Sequence, residues 1–138
     1  MKTPPITLSF WLRFFFFLTL LSSLGGCMTL KGKKMTKTEL YFGLTKPDGS
    51  NIDKSDFQAF ADTVISKTFT EGCTILDGQG QWLGFNGKLI TEPSKIVIVI
   101  SKLSAQRSRD IEQIRAKYKK YYQQESVMRV DELLKVNF

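Results

Sequence analysis

The chain has 138 residues, with 20 Lys and Arg against 13 Asp and Glu, so its formal net charge is +7. It contains no histidine and two cysteines. The missing histidine excludes Ser-His-Asp and Cys-His catalysis and any histidine-bearing zinc site. Two cysteines are too few for a four-thiolate zinc site or a multi-disulfide scaffold. The length and an apolar fraction of 42% are typical of one globular domain, for which we expect neither a metal nor a cofactor.

Residues 1–26 have the pattern of a secretory signal peptide. Lys2 and Arg13 are followed by an uncharged run, FFFFLTLLSSL, at residues 14–24. A basic start and about 7–15 apolar residues are typical of a signal peptide, whereas a membrane-spanning helix needs about 20. The pattern therefore favours an exported protein over one with a permanent membrane-spanning anchor.

The end of this segment, Leu24-Gly25-Gly26-Cys27, resembles the lipobox of bacterial lipoproteins. The resemblance implies that the Cys27 thiol receives a diacylglycerol, that residues 1–26 are removed, and that the new amine is acylated. Several acyl chains on one residue make a stable membrane anchor. Met28 follows the cysteine, and by the same resemblance it favours the outer membrane, facing the periplasm, over retention in the inner membrane.

Residues 27–38 are predicted to be a lipid-anchored polar tether. Two interpretations of their positive charge are open, namely contact with anionic lipid headgroups and a solvated linker with a basic bias. The residues concerned are Lys31, Lys33, Lys34 and Lys37.

The mature domain is expected at residues 39–138, and it begins with a strand and a helix. Residues 39–45 (ELYFGLT) are apolar and precede a Pro-Asp-Gly turn signal, which predicts a strand. Asp53 is the predicted N-cap of the helix, and Ile52 and Phe57 occupy hydrophobic-staple positions. The apolar residues after the cap have helical spacing: Phe57, Phe60, Ala61, Val64 and Ile65.

A hairpin follows the first helix. Residues 73–82 (CTILDGQGQW) read as a strand that Gly78 and Gly80 break into a bulge or bend. Asn86-Gly87 is a strong turn signal, after which residues 88–91 return and Pro93 interrupts the ladder. Residues 95–101 contain IVIVI without polar alternation, which predicts a strand that is covered on both faces.

The last third of the chain predicts a helix and a final strand. An apolar stripe and a basic side mark residues 105–124 as a helix, and residues 126–138 read as a strand with an extension. The order βαββαβ is that of a ferredoxin-like α+β sandwich, with two helices on one face of a four-stranded antiparallel sheet in the order 4-1-3-2. The central first and third strands are then the most apolar, as expected.

This architecture leaves one sheet face open. Tyr41 and Phe42 point to opposite faces, and IVIVI presents apolar side chains to both. A large bare apolar patch is unusual on a soluble monomer. Three alternatives could cover the open face: a homodimer formed sheet to sheet, a buried small ligand, or residues 133–138 folding back over the sheet.

Four motifs in this order are distinctive, and together they resemble a family of uncharacterised bacterial lipoproteins defined by a domain of unknown function. The motifs lie within residues 39–138 and have the forms YFG, GxTxxDGxGQW, EPSK and QESVxRV. The family often has Phe-Pro-x-Gly-Leu-Thr where this chain has Phe-Thr-Glu-Gly-Cys-Thr, so the resemblance implies that Cys73 occupies an apolar packing position. The resemblance supplies no activity.

The densest polar cluster surrounds the glycines of the hairpin. Asp77 and Glu92 lie on strands predicted to pair, so they could converge as a carboxylate pair for acid/base chemistry, with Gln81 and Trp82 nearby. The alternative is structural, with the glycines shaping a bulge, Glu92 capping a strand edge and Trp82 packing. Phosphate binding by the glycines is weaker, because no P-loop or dinucleotide pattern surrounds them.

Tyr41 and Arg129 belong to the first and last strands, which are predicted neighbours. They could bind an anionic ligand on the open face, or Arg129 could pair with Glu125 or Asp131. The basic side of the second helix superficially suggests nucleic acid, but an exported, anchored protein rarely meets nucleic acid. We therefore expect no nucleic-acid partner and favour an anionic component of the envelope.

The sequence predicts an envelope lipoprotein whose domain is non-enzymatic and binds a ligand or partner through the open sheet face, as a homodimer. The alternative is a small enzyme that uses Asp77, Glu92 and Tyr41 near the glycine-broken hairpin.

Overall fold

The computed structural model describes residues 32–137. The predicted signal peptide, Cys27 and the start of the predicted tether lie outside the described residues. Within residues 32–137, no helix is long and apolar enough to cross a membrane. The elements in chain order are β1 (Lys33–Gly43), α1 (Lys54–Phe60, continuing through a π-helical stretch at Ala61–Ile65 to Ser66–Thr68), β2 (Thr74–Leu83), β3 (Leu89–Ser101), α2 (Ala105–Tyr122) and β4 (Met128–Val136).

The four strands form one antiparallel sheet in the order β2-β3-β1-β4. This order confirms the predicted βαββαβ arrangement, with β1 and β3 in the centre. Both helices pack on one face of the sheet, because the buried strand side chains alternate with half-buried ones along β1 and β3. We call the other face the open sheet face.

Strand β1 begins at Lys33, well before the predicted start at residue 39. Thr36 and Thr38 are buried on the helix side, where β-branched threonine suits a strand. Lys37 points to the open sheet face and forms ion pairs with Glu39 at 3.3 Å and Glu132 at 2.8 Å. The prediction of a tether to residue 38 is therefore wrong from Lys33 onward, since ion pairing allows lysine in a central strand.

Strand β4 occupies the C-terminal segment that was one candidate cover for the open sheet face. Leu133 and Leu134 pair with Thr36 and Met35, so this segment lies beside the early part of β1. The expectation that it might fold back over the sheet is wrong. The two differences have one cause, because the early part of β1 supplies the hydrogen-bonding partner for the end of β4.

Strand β3 runs without interruption through Pro93, so the predicted break in the ladder is wrong. Pro93 pairs with Gln79, and its carbonyl oxygen accepts a hydrogen bond from Leu44 N at 2.9 Å. Proline lacks a donor, but its carbonyl can still accept, which keeps the strand connected to the chain after β1.

The core lies between the sheet and the two helices. Phe42 of β1 contacts the ring of Tyr118 of α2, with 4.7 Å between ring centroids, and also packs against Phe57 and Phe60 of α1. These edge-to-face contacts are favourable beyond the apolar area that they bury. The aromatic cluster holds both helices against the end of β1 that carries the candidate site.

Only one face of the IVIVI segment is covered within the described residues. Val97 and Val99 are buried, whereas Ile100 is 38% exposed on the open sheet face. The predicted coverage on both faces is therefore wrong for the single chain. Within residues 32–137, no helix or loop covers this apolar face of β3.

Local signals place the helices as expected. Asp53 is the N-cap of α1, and Ile52 and Phe57 are both buried at the staple positions. The Ser104 hydroxyl caps α2 by accepting a hydrogen bond from Arg107 N at 3.0 Å. The Asp53 side chain makes no capping hydrogen bond, so α1 begins at the predicted position with the staple contact, and α2 begins with a side-chain cap.

Candidate functional site

A cleft of about 560 Å³ lies on the open sheet face, at the end of β1 where the β2–β3 hairpin continues alone. Tyr41 and Met128, which are paired across β1 and β4, line one side. Trp82 and Ile90, which are paired across the hairpin, line the other. The cleft therefore has apolar and aromatic walls on two different parts of the sheet.

The floor of the cleft is formed by three small residues that are neighbours on adjacent strands, so no large side chain fills it. Ser94 of β3 pairs with Gly43 on one side and with Gly78 on the other. A Cβ atom at Gly43 would lie 2.5 Å from Glu92 Oε1, so only glycine lets this carboxylate approach β1. The β2–β3 pairing continues without a shift through Gly78 and Gly80, so the predicted bulge or bend in β2 is wrong.

Glu92 provides the charge in this floor. Its Oε1 accepts a hydrogen bond from Thr45 N at 3.0 Å, which holds the side chain across the end of β1. A carboxylate has about four acceptor positions, so one backbone contact leaves capacity for a ligand. Glu92 can therefore accept hydrogen bonds from hydroxyl or amino groups that enter the cleft.

Tyr41 is held in place by a polar strip on the open sheet face. Its hydroxyl donates to Glu39 Oε2 at 2.8 Å, and Glu39 also pairs with Lys37. This hydrogen bond raises the pKa of Tyr41 and lowers the pKa of Glu39. Tyr41 thus enters the wall of the cleft as a neutral phenol whose proton is directed at Glu39.

Side chains on the helix side support the cleft from below. Tyr118 donates a hydrogen bond to Gly43 O at 2.8 Å, and Gln124 Nε2 donates to Thr45 O at 2.8 Å. Burial, followed by the nearby Tyr122 and Glu92, raises the pKa of Tyr118. These bonds fix the backbone of Gly43 and Thr45, which in turn positions Glu92.

A second recess of about 690 Å³ lies at the far end of the sheet, beside Cys73. Arg107 and Glu71 at its edge form an ion pair at 2.8 Å, and Arg107 also donates to Thr68 O at 2.6 Å. Burial, with a smaller effect of Glu71, raises the pKa of the Cys73 thiol. The ion pair occupies the edge of this recess and burial makes the Cys73 thiol harder to ionise, so we favour the first cleft as the candidate site.

Asp77 and Glu92 do not converge, so the predicted carboxylate pair is wrong. Asp77 pairs across the ladder with Lys95, whereas Glu92 pairs with Gly80. Odd and even positions of a strand point to opposite faces, and Asp77 therefore lies on the helix side. It forms an ion pair with Lys95, and this hydrogen-bonded contact lowers the pKa of Asp77.

The other predicted residues divide between the two faces in the same way. Trp82 and Tyr41 line the cleft. Gln81 pairs with Thr91 and points to the opposite side of the hairpin from Trp82. Arg129 pairs with Leu40, which is buried beneath the helices, so the Tyr41–Arg129 pair proposed for the open sheet face is wrong.

Arg129 connects β4 to α2. Its guanidinium lies 2.9 Å from Glu112 Oε1 and donates to Ser108 Oγ at 3.1 Å. The Nε atom is 2.9 Å from Asp131 Oδ2, although within residues 32–137 that N–H is not aligned for a hydrogen bond. The alternative pairing with Asp131 is therefore confirmed as an ionic contact, and Arg129 has a packing role on the helix side.

Cys73 packs against the core in a half-buried position. This position agrees with the apolar role that the family resemblance implies. Within residues 32–137, no group of three acidic or thiol side chains is arranged to hold a metal ion.

Sequence reasoning missed Gly43 and the strip of Lys37, Glu39 and Glu132. The alternation of Met35, Lys37, Glu39 and Tyr41 with buried threonine and leucine was the available signal. It was overlooked because lysine and threonine before residue 39 have the composition of a linker.

The sequence profile of a family described as "Protein of unknown function (DUF3574)" matches residues 37–138. The chain belongs to the DUF3574 family. This match confirms the predicted membership of a family without an assigned function. No curated protein matches the chain by sequence.

The DUF3574 domain is similar in fold to a phage SAM lyase. In complex with S-methyl-5'-thioadenosine, that enzyme superposes with a TM-score of 0.54 at 17% identity, covering 80% of this chain and 97% of the lyase chain. The apo state gives a TM-score of 0.53 at 16% identity, with 82% and 98% of the two chains covered. At this identity the similarity shows the fold alone.

Proposed function

We propose that this protein is a lipid-anchored envelope protein whose DUF3574 domain binds a small planar ligand in the cleft on the open sheet face. The observation that carries the proposal is the position of Glu92 and Trp82 in one cleft above a glycine floor. Concave sites with apolar walls and a few placed polar groups are typical of small-molecule binding.

The chemistry of the walls restricts the ligand. Trp82 is 46% exposed, so its ring is available to stack on a planar group. The Glu92 carboxylate accepts hydrogen bonds and repels anions. Among the charged residues that line the cleft, Glu92 and Glu125 outnumber Lys46, so a neutral or cationic ligand with a planar ring and hydroxyl or amino donors fits better than an anionic one.

Tryptophan fluorescence offers a direct test, because Trp82 is the only tryptophan after residue 26. We choose S-methyl-5'-thioadenosine as the probe, since it has a planar base, an amino group and hydroxyls and is the ligand of the phage lyase. Binding should change Trp82 emission saturably. Loss of the charged acceptor in Glu92→Gln should weaken binding about 10- to 100-fold.

Asp77→Asn is the matched control, because it neutralises a carboxylate of the same hairpin on the other face. Its binding curve should coincide with that of the original protein. Equal weakening in both variants, or no saturable change in emission with this nucleoside probe, would contradict the proposal.

A second candidate function is enzymatic, and the similarity in fold to a SAM lyase favours considering it. Asp77 no longer belongs to this hypothesis, because it lies on the other face. Glu92 and Tyr41 remain together in the cleft. Incubation with SAM, followed by chromatography for S-methyl-5'-thioadenosine, tests this candidate, and turnover should disappear in Glu92→Gln.

The lipid anchor and the outer-membrane location are part of the proposal. The pattern before Cys27 supports both. Metabolic acyl labelling should mark the protein and disappear in Cys27→Ser, and persistence of the label would refute acylation at this residue. Contact between the basic side of α2 and an anionic envelope component stays a prediction for a different surface.

A further inference from the structure

The β2–β3 hairpin extends beyond the rest of the sheet. Gly43, the last residue of β1, pairs with Ser94, and Thr45 N reaches only as far as Glu92. Within residues 32–137, the segment 81–91 pairs only with itself, and we call this segment the arm. At about 3.3 Å per residue it projects roughly 10 Å past the cleft. Two-stranded hairpins of this kind are marginally stable alone in water.

The arm exposes large apolar side chains. Phe85 at the turn is fully exposed. The exposed fractions of the other four side chains are 46% for Trp82, 71% for Leu83, 61% for Leu89 and 39% for Ile90. With the usual side-chain areas, these residues expose roughly 700 Å² of mostly apolar surface. Trp82 and Ile90 lie on the side of the arm that continues the open sheet face, and Leu83 and Leu89 lie on its other side, so the arm is apolar on both sides. Exposed apolar surface of this extent is unusual on a monomer.

The apolar surface continues from the arm onto the open sheet face. Leu76, Ile100, Met128 and Val130 on this face are between 38% and 55% exposed. Counted together with both sides of the arm, they bring the exposed apolar area to roughly 1,000 Å² per copy, and a stable protein interface needs about 800 Å² on each partner. The area is therefore sufficient for a complex between two copies.

The charge distribution also permits two copies to meet here. The arm contains one charged residue, Lys88. On the open sheet face, Lys37 is paired with Glu39 and Glu132. Most of the excess positive charge lies on α2, in the opposite layer. Two such surfaces would meet without like-charge repulsion, whereas an anionic membrane surface would favour a basic rim that the arm lacks.

We propose that the arm and the open sheet face form a self-association surface, on which the arm of one copy packs against the open sheet face of another. The arm begins beside the cleft, so a neighbouring arm would also cover the cleft and exclude water from it. This inference goes beyond ligand binding and does not depend on it.

Sedimentation velocity of the full chain in mild detergent, at rising micromolar concentrations, tests the proposal. The variant Leu83→Ser/Phe85→Ser removes two exposed apolar side chains from the arm. The matched control is Leu133→Ser, because Leu133 is also an exposed strand leucine but lies on β4, at the opposite edge of the sheet from the arm. A second variant, Phe85→Ser alone, changes a fully exposed side chain at the turn and leaves the folded core untouched.

We expect the original protein and Leu133→Ser to sediment as an oligomer. Self-association of the double arm variant should be at least about 100-fold weaker, since burial of each apolar side chain strengthens association roughly 10-fold or more. Circular dichroism should be unchanged in Phe85→Ser. A monomer at every concentration of the original protein, or an oligomer unaffected by both arm variants, overturns the proposal.

Co-expression of two differently tagged full-length copies provides the corresponding measurement from membranes. Each tag should recover the other copy, and recovery should fall with the arm variants but not with Leu133→Ser. The proposal is wrong if the two copies do not recover each other and vesicles of phosphatidylcholine and phosphatidylglycerol instead protect the arm from proteolysis. In that case the arm contacts a membrane and not a second copy. These experiments do not measure nucleoside binding. Failure of the self-association proposal can therefore be distinguished from failure of the ligand-binding proposal.

Discussion

The hydrogen bond from Tyr118 to Gly43 O connects the core to the candidate site, and Tyr118→Phe removes it alone. Tyr118 is fully buried and its hydroxyl lies 2.8 Å from the carbonyl oxygen. A lost hydrogen bond costs about 1 kcal/mol, and an unsatisfied buried acceptor costs about 1–3 kcal/mol. Because the aromatic contacts with Phe42 and Phe60 remain, we expect the free energy of unfolding to fall by about 1–2 kcal/mol at neutral pH.

The same substitution should change the dependence of stability on pH. Burial raises the pKa of Tyr118 above its ordinary value of about 10. The unfolded chain therefore releases this proton first as the pH rises, and the contribution of Tyr118 to stability falls above pH 10. At pH 11 the difference in free energy of unfolding between the original protein and Tyr118→Phe should be smaller than at pH 7, by an amount on the order of 1 kcal/mol.

Urea unfolding at several pH values, followed by circular dichroism, measures both effects. Tyr121→Phe is the control, because Tyr121 is largely exposed on the same helix, and it should stay within about 0.5 kcal/mol of the original protein. Equal stability of Tyr118→Phe and the original protein at neutral pH, or a difference that grows above pH 10, would refute this reasoning.

Three further substitutions test separate parts of the structure. Gly43→Ala should displace the Glu92 carboxylate and weaken nucleoside binding about 10-fold or more. Gly80→Ala is the control, because a Cβ fits there, and it should change neither the position of the Glu92 side chain nor the stability of the fold. Heteronuclear NMR measures the first property and urea unfolding the second. Arg129→Met should lower the free energy of unfolding by about 1–3 kcal/mol without changing the affinity of the folded protein, so altered affinity in fluorescence titration would contradict its role on the helix side. Asp77→Asn should leave thermal stability close to that of the original protein, because its side chain is largely solvated; a large drop in the melting temperature would show that its ion pair is structurally important.

The fold could be predicted from sequence because local signals agree with the final packing. The helical spacing after Asp53 and the Asn86-Gly87 turn both mark elements that the structure contains. The most apolar strands are the central ones, in agreement with the strand order expected for a βαββαβ sandwich. Proline and lysine were misleading, since Pro93 and Lys37 both lie inside central strands where a carbonyl acceptor or ion pairs accommodate them.

The candidate site was predicted less well because it depends on which face each strand residue occupies. Glu92, Trp82 and Tyr41 were identified as candidates, and they do share one cleft. Asp77 and Arg129 were predicted to lie in the site because their strands neighbour those of Glu92 and Tyr41. A shift of one residue along a strand, however, moves a side chain to the other face of the sheet. Strand register is a tertiary property, which composition and turn signals do not determine.

The most direct test of the central claim is a heteronuclear NMR titration of residues 27–138 with S-methyl-5'-thioadenosine. We expect saturable shift changes at the backbone amides of Thr45, Gly80 and Glu92 and at the Trp82 indole N–H, and the loss of these changes in Glu92→Gln. Unchanged spectra, or changes confined to α2 or to the recess beside Cys73, would contradict ligand binding in this cleft.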